Sequence, residues 1–270
     1  NGEDLAFASA SGARVEGDVI HLTAASQTVT FEGVSARPVP SLLRGFSAPV
    51  RLAIDASAED LVFQVRADRD PFNRWQAAQT LAMRSLVAGA SAGSESGAAE
   101  PALVDALGAV LDDARLEPAF RAQVLQIPSE ADIAREIGEN VDPDAVAASR
   151  KRLRLAIVAS LGPRLLAVHA ALGGEQAYSP DAANAGVRAL RNTVLDLMVA
   201  SGSRAAVGAA VWQFETADNM TDRLAALAAL CHAALPERLS ALNTFHEAYR
   251  NDALVLDKWL TLEASVPATE

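Results

Sequence analysis

A single cysteine, Cys231, is present in the 270 residues of this chain, and one thiol excludes an intramolecular disulfide framework. That scarcity suits a reducing compartment, so the expected location is cytoplasmic. Basic runs are equally lacking. The formal charge is -11, whereas proteins that hold phosphate backbones concentrate Lys and Arg on one face, so nucleic acid is not an expected partner. No uninterrupted apolar run reaches the length of a bilayer crossing, and no charged leader precedes an apolar core, so no membrane partner is expected. A start at Asn1 without a leader suits an excised fragment. GxxxxGK[ST] is missing, as is a GxGxxG placed after a strand, which leaves nucleotide-phosphate binding without support. What the chain does contain is apolar: 50% of its residues are hydrophobic, enough for one large or two modest packed domains.

The opening portion has the period of strands. In QTVTFEG, Val29 and Phe31 alternate with Thr28 and Thr30, and in DLVFQVRAD, Leu61, Phe63 and Val65 alternate with Val62, Gln64 and Arg66. Side chains two residues apart share a face of a sheet, so both segments are expected as half-buried antiparallel strands. Leu5 to Ser9, Val19 to Thr23 and Pro49 to Ile54 are further strand candidates, separated by Gly, Ser and Pro clusters. Pro38, Pro40 and Pro49 make Arg37 to Pro49 an ordered irregular connection, with Leu42, Leu43 and Phe46 as its expected apolar anchors.

At Asp70 the period changes to that of helices. Asp70 is expected to cap a helix whose first turn holds Pro71, and Phe72, Trp75, Ala78, Ala82 and Leu86 fall along one face. Ser179 and Pro180 repeat the start signal, followed by Val187, Leu190, Val194 and Leu197 at offsets of three and four. Breaks at Ile127 to Ser129, Val141 to Pro143, Gly162 to Pro163, Gly173 to Gly174 and Ser201 to Ser203 divide successive helices, Gly162 to Pro163 being either a break or a kink. Antiparallel helix pairs stacked into a curved layer are the expected architecture.

Candidate chemistry is sparse. His246 and Glu247 open HEAYR, but the second ligand position of an HExxH pair is occupied by Arg250, a permanent cation that repels zinc. Cys231 and His232 are neighbours on a helix and point in different directions, so they are expected as a buried thiol and a peripheral ring. His21 and His169 have no ligand at metal spacing and are assigned to packing or surface. Gly89 to Gly93 spells GASAG and matches the nucleophile elbow GxSxG, yet a helix rather than a strand precedes it, so a linker is expected and Ser91 is not a nucleophile. Trp75, Trp212 and Trp259 are expected at helix interfaces, the last with Asp257 and Lys258 at its rim. Asn219 or Thr221 is expected to cap the helix carrying Leu224, Leu227 and Leu230, with Asp222 near its positive end.

Four strings go beyond pattern: RPVPSLLRGFSAPV (Arg37 to Val50), DPFNRWQAAQTL (Asp70 to Leu81), ETADNMTDRLAALAAL (Glu215 to Leu230) and ALVLDKWLTLEAS (Ala253 to Ser265). In this order they resemble the carboxy-terminal half of the bacterial aminopeptidase N family, zinc enzymes that remove amino-terminal residues from peptides. The resemblance implies an α+β, mainly α, fold: residues 1–69 as part of an immunoglobulin-like β-sandwich, and residues 70–270 as an incomplete all-α superhelical array of the armadillo or HEAT kind. It implies that zinc belongs to the parent's catalytic portion, since the family binds it through HExxH and a later glutamate, and no such set occurs here. This chain is therefore expected to hold no cofactor and no catalytic or metal residue, and to partner the amino-terminal catalytic portion of the same polypeptide. Its implied role is to close the chamber above the zinc and restrict access to small peptides. Asn219, Met220 and Asp222 are then candidates to line that chamber.

Two other readings stay open: an independent helical-repeat module that binds a protein or peptide, and a free-standing hydrolase with an unrecognised site. The four histidines and one cysteine offer no credible set of three ligands. We expect elemental analysis of the dialysed chain to find no stoichiometric zinc. One zinc per chain, lost on replacing His246 or His232, would reverse that expectation.

Overall fold

The computed structural model describes residues 2–91, 99–173 and 178–267. Four short strands come first: β1 (Ser9–Ser11), β2 (Arg14–Glu16), β3 (Val19–His21) and β4 (Thr30–Glu32). They form two separate antiparallel pairs, β1 with β4, where Ala10 faces Phe31, and β2 with β3, where Val15 faces Ile20. The first pair carries an edge-to-face contact between Phe7 and Phe31, 5.0 Å between ring centres. No described residue before Asp60 is buried. Leu5, Phe7, Val19, Leu22 and Phe31 stay exposed, so this portion has strand pairing without a packed interior of its own.

Several strand expectations need correction here. Leu5 to Ser9 is paired only at its end, where the Ala8 amide donates to the Glu32 carbonyl at 2.7 Å and β1 begins at Ser9; β2 has no counterpart among the expected strands, and Pro49 to Ile54 is irregular. DLVFQVRAD is helical: it lies in α1 (Ala58–Ala67). Leu61 and Val65 satisfy a period of two and an offset of four alike, so alternation could not separate the two states. Capping does. Ser57 accepts a hydrogen bond from the Asp60 amide, Glu59 and Asp60 occupy the first turn, and Leu61 and Val65 are buried while Phe63 points outward. Residues 58–67, expected inside the β portion, thus begin the helical array.

The irregular connection from Arg37 is held mainly by polar bonds, where apolar anchors were expected. Arg37 grips the Asp60 carboxylate with two nitrogens at 3.0 and 2.7 Å, and Gln64 donates to the Pro40 carbonyl at 2.8 Å. Asn73 donates to Ser41 Oγ and the Leu42 carbonyl at 2.9 and 3.0 Å. The turn Leu43 to Phe46 is tight: Leu43, Gly45 and Phe46 have φ of 56°, 61° and 57°, a region that costs side chains other than glycine energy. Its Gly45 amide donates to Asp70. Phe46 lies against Phe72 at 4.7 Å yet remains 72% exposed.

The remaining helices are α2 (Pro71–Ala90), α3 (Ala99–Asp112), α4 (Pro118–Leu125), α5 (Glu130–Ile137), α6 (Pro143–Ala171), α7 (Ala182–Val199), α8 (Arg204–Thr216), α9 (Met220–His232), α10 (Arg238–Tyr249) and α11 (Ala253–Ala264). Asp70 caps α2 as expected, accepting from the Asn73 amide at 2.9 Å. In α7 the cap is Asp181, two residues beyond Ser179, because its carboxylate accepts from the Asn184 amide at 3.0 Å. Gly162 and Pro163 lie inside α6, which continues through them. Ala92 and Gly93 of the GASAG run, most of the small-residue stretch after it, and Gly174 lie outside the described residues.

The 29-residue helix α6 is the spine of the array. Its buried residues include Ser149, Leu153, Ile157, Leu161, Leu165 and His169, spaced by four throughout. Each step of four overshoots a full turn by about 40°, so the stripe winds through about 200° between its ends. One helix therefore faces different neighbours along its length. Ser149 donates to the Leu86 carbonyl of α2 at 2.9 Å, Arg154 pairs with Asp196 of α7 at 2.9 Å, and Arg164 pairs with Asp112 of α3 at 2.5 Å. Close approach to α2 requires Gly89, where a Cβ would sit 2.0 Å from the Arg152 guanidinium. By length and composition alone α6 could cross a membrane; here Leu153, Ile157, Leu161 and Leu165 pack within the protein core.

Leu161 is fully buried, so Leu161→Ala should lower stability by about 2–5 kcal/mol through lost burial and the cavity left behind. Urea denaturation checks this, and a shift of less than about 1 kcal/mol would mean that α6 is not the centre of the core. Hydrogen exchange should show the α6 amides protected and those of β1 to β4 exchanging far faster, because the strands cover no core.

Candidate functional site

Of the candidate residues, Asn219, Met220 and Asp222 all sit at the start of α9. Asn219 is extended and caps the helix, its side-chain oxygen accepting from the Asp222 amide at 2.9 Å. Its amide nitrogen turns back to Asp222 Oδ2 at 3.1 Å. Met220 is half-buried against the core, and Asp222 is buried. The helix end thus holds a carboxylate close to its exposed amides, where a negative charge is favoured.

Asp222 belongs to a polar cluster joining four helices. Asn192 of α7 donates to Asp222 Oδ1 at 2.9 Å, and Arg191 of α7 lies 3.7 Å from Oδ2. Gln213 of α8, with no exposed surface, donates to Asn192 Oδ1 at 2.7 Å and to the Asp222 carbonyl at 3.0 Å. Both amide hydrogens of Gln213 are then used, leaving Oε1 as an acceptor. His169 of α6 lies 2.9 Å from that oxygen, so its Nε2 carries the proton. Burial holds the His169 pKa below its ordinary value, with the Gln213 bond opposing, so the ring is neutral at neutral pH. Sequence reasoning assigned His169 to packing or surface and passed over Gln213. The available signal was a lone amide among Ala206, Ala210 and Phe214, the buried residues of α8.

Two depressions lie nearby. The larger, about 1050 Å³, runs between α6, α7 and α9 and has an alanine-rich wall including Ala147, Ala148, Ala225 and Ala228. Its cations are mostly engaged: Arg150 donates to the Pro128 carbonyl at 3.0 Å and Arg154 pairs with Asp196. Asn192 borders this groove, so the buried cluster supports its wall; Asn219, Met220 and Asp222 do not border it. The smaller depression, about 630 Å³, lies between α8 and the turn into α10.

The other candidates resolve into structural roles. His246 lies against Trp259 with ring centres 4.8 Å apart and planes tilted by 51°, and Glu247 pairs with Arg250 at 3.1 Å, so the HEAYR carboxylate is bound to the very arginine that replaces a ligand. Cys231 is buried and its thiol is pushed up to about 11 by that burial, which keeps it protonated. Trp259 donates to the Leu242 carbonyl at 3.0 Å across the α10–α11 interface. Trp75 is half-buried on the core. Trp212 departs from expectation: 52% of it is exposed, since Gln213 and Phe214 take the inward positions on α8. Among the described residues no group of three His, Cys, Asp or Glu is placed to hold a metal.

This arrangement of strand pairs followed by a helical array agrees with two family matches. Residues 4–55 match a domain of unknown function with an immunoglobulin-like fold, DUF3458, and residues 58–270 match DUF3458_C, described as ARM repeats. The chain belongs to this DUF3458_C family. More particularly, it is homologous to the carboxy-terminal part of aminopeptidase N, a noncatalytic region of that enzyme. It is 39% identical over 250 residues to aminopeptidase N of Caulobacter vibrioides, and 34% identical over 255 residues to that of Escherichia coli. Each match covers 93% of this chain, which spans 29% of the length of these relatives. The fold is also that of part of Legionella pneumophila aminopeptidase A, solved in complex with aspartic acid. That likeness has a TM-score of 0.78 and 24% identity over 93% of this chain and 30% of that one.

Because the folded-state pKa of His169 is lowered from 6.5, the unfolded chain takes up a proton more readily than the native one. Stability from this site is complete above the ordinary histidine value and declines as pH falls below it. Urea midpoints at pH about 7.5 and 5.5 should therefore fall further for the wild type than for His169→Gln, whose side chain does not titrate there. Equal falls would show that His169 takes no part in the pH dependence.

Proposed function

We propose that this region covers the catalytic portion of an aminopeptidase N and restricts which peptides reach its zinc. The observation that carries the reading is the β portion and its connection. Among its described residues nothing before Asp60 is buried, while Val50, Leu52 and Ile54 and the strained turn bearing Phe46 present large apolar groups outward. Exposed apolar surface on this scale marks a contact face, and strain held by several polar bonds marks a turn kept for a purpose. The partner we assign to it is the amino-terminal catalytic portion of the same enzyme; the chain spans 29% of the length of its aminopeptidase N relatives, which is consistent with a larger polypeptide.

Within such an assembly the helical array supplies walls and no chemistry. Zinc and the groups acting on it would belong to the catalytic portion; this chain's residues would position and exclude. Asn219 and Met220, at the α9 start, are our candidates for the chamber wall, with Asp222 acting behind them through Asn192 and Gln213. The support is a relative 39% identical over 93% of this chain, together with a helix end bonded to α7 and α8 and, through Gln213, to α6.

The chain alone should leave aminoacyl chromogenic substrates intact. Mixed with the separately expressed amino-terminal portion, it should bind in calorimetry, and Phe46→Ser should weaken that binding by about tenfold or more if Phe46 is a buried anchor of the contact. In the complete enzyme, Met220→Trp should reduce kcat/KM for peptides of several residues more than for a single aminoacyl substrate. Zinc-dependent turnover by the repurified chain would overturn the noncatalytic reading, and equal effects on long and short substrates would overturn the placement of α9.

A further inference from the structure

We propose that His169 is a proton-operated latch on the start of α9: the neutral ring holds Gln213, and through it Asp222, in place, while the protonated ring leaves the cluster and lets that helix start loosen. The ring is 4% exposed and lies in the last turn of α6. Its Nε2 is 2.9 Å from Gln213 Oε1, and the two hydrogens of that amide go to Asn192 Oδ1 at 2.7 Å and to the Asp222 carbonyl at 3.0 Å. Asn192 in turn donates to Asp222 Oδ1 at 2.9 Å. Each donor in this series points away from His169 and towards α9. Gln213 cannot turn its amide over without setting its N–H group against the His169 N–H and its oxygen against the Asp222 carbonyl. The ring at one end is therefore tied to the helix start at the other.

Charge decides when the latch opens. With a neutral ring the cluster holds one cation, Arg191 of α7, and one anion, Asp222 of α9, 3.7 Å apart; α8 presents the uncharged Gln213. Among the described residues the buried Arg191 Nε has no hydrogen-bond partner, so the cluster has little capacity for a second positive charge. Arg191 opposes a proton on His169, while the Gln213 bond, Asp222 and the carbonyls at the end of α6 favour one. Burial outweighs what favours it and holds the pKa of the ring below its ordinary value. The helix α6 ends at Ala171, so opening of its last turn carries an imidazolium into water. Gln213 Oε1 then loses its donor inside the core, and an amide half satisfied there is free to turn. The closed form is complete above the ordinary histidine value of 6.5 and is lost as pH falls below it.

Hydrogen exchange of the whole chain at pH about 7.5 and 5.5, corrected for intrinsic rates, tests the latch. We expect protection to fall by about tenfold at the lower pH, the effect of one proton on a group of ordinary histidine value. The fall should be confined to the Asp222 and Arg223 amides, which bond to Asn219, and to the Leu172 amide, which bonds to the Val168 carbonyl, while α2 and α3 keep their protection. His169→Gln, which can donate to Gln213 and does not titrate in this range, should remove the change. Magnetic resonance titration of the His169 ring in the wild type needs no variant: a midpoint below 6.5 is expected, and one at or above it would overturn the proposal. Protection unchanged at the lower pH, lost evenly across the array, or lost equally in His169→Gln would overturn it as well. The effect on peptides rests on the proposed place of Asn219 and Met220 in the chamber wall. In the complete enzyme, the preference for a single aminoacyl substrate over longer peptides should shrink at the lower pH in the wild type and not in His169→Gln. Local loosening without that shift would support the latch and overturn the chamber placement.

Discussion

The four-residue spacing of the buried side chains on α6 is the constraint from which the array follows. A helix with a fixed apolar side can serve one layer, whereas a stripe that winds by about 40° per step turns from one set of neighbours to another. Ser149 at one end bonds to α2 and His169 at the other to α8, with Leu153, Ile157, Leu161 and Leu165 between them. The leucines and the isoleucine supply the burial. Along its length α6 meets α2 at Ser149, α7 at Arg154 and α3 at Arg164.

At the far end of that stripe the core becomes polar, and there the packing demands direction as well as volume. Gln213 is buried with both amide hydrogens and its oxygen engaged, and the bonds it makes fix α6, α7, α8 and α9 at one relative setting. A buried amide left half satisfied is costly, so alternative settings are penalised. The cluster therefore makes the α9 start and the adjoining groove wall rigid.

The β portion has the opposite character. Its hydrogen bonds are strand pairs, its apolar groups remain at the surface, and its connection to the array is a series of charge and amide contacts through Arg37, Gln64 and Asn73. Such contacts fix position more than they stabilise, because exposed ion pairs contribute little net free energy. The array has a core of its own, while no described residue of the portion before Asp60 is buried.

Local rules in the sequence were sufficient for the helix start at Asp70, for narrowing that of α9 to Asn219 or Thr221, for the presence of Arg250 at the second HEAYR ligand position, and for a chain of strands followed by helices. Each depends on residues within a turn of one another: a cap and its amide, a ligand position and the arginine filling it. The four family-like strings carried the recognition, which the matches then extended over most of the chain. Residues 58–67 were misjudged because Leu61 and Val65 fit either period, and only the Ser57 cap with burial against the following helices separates the alternatives. Gln213 was illegible as a hub, since its partners lie 44 and 21 residues earlier and 9 residues later. Trp212 was assigned inward on its hydrophobicity, while its place on α8 beside the buried Gln213 and Phe214 turned it outward. Caps such as Asp70 and the succession of strands and helices were thus determined by the sequence alone, being set over a few residues by backbone geometry. Which polar groups are buried together and which aromatic faces solvent were decided only when distant helices met.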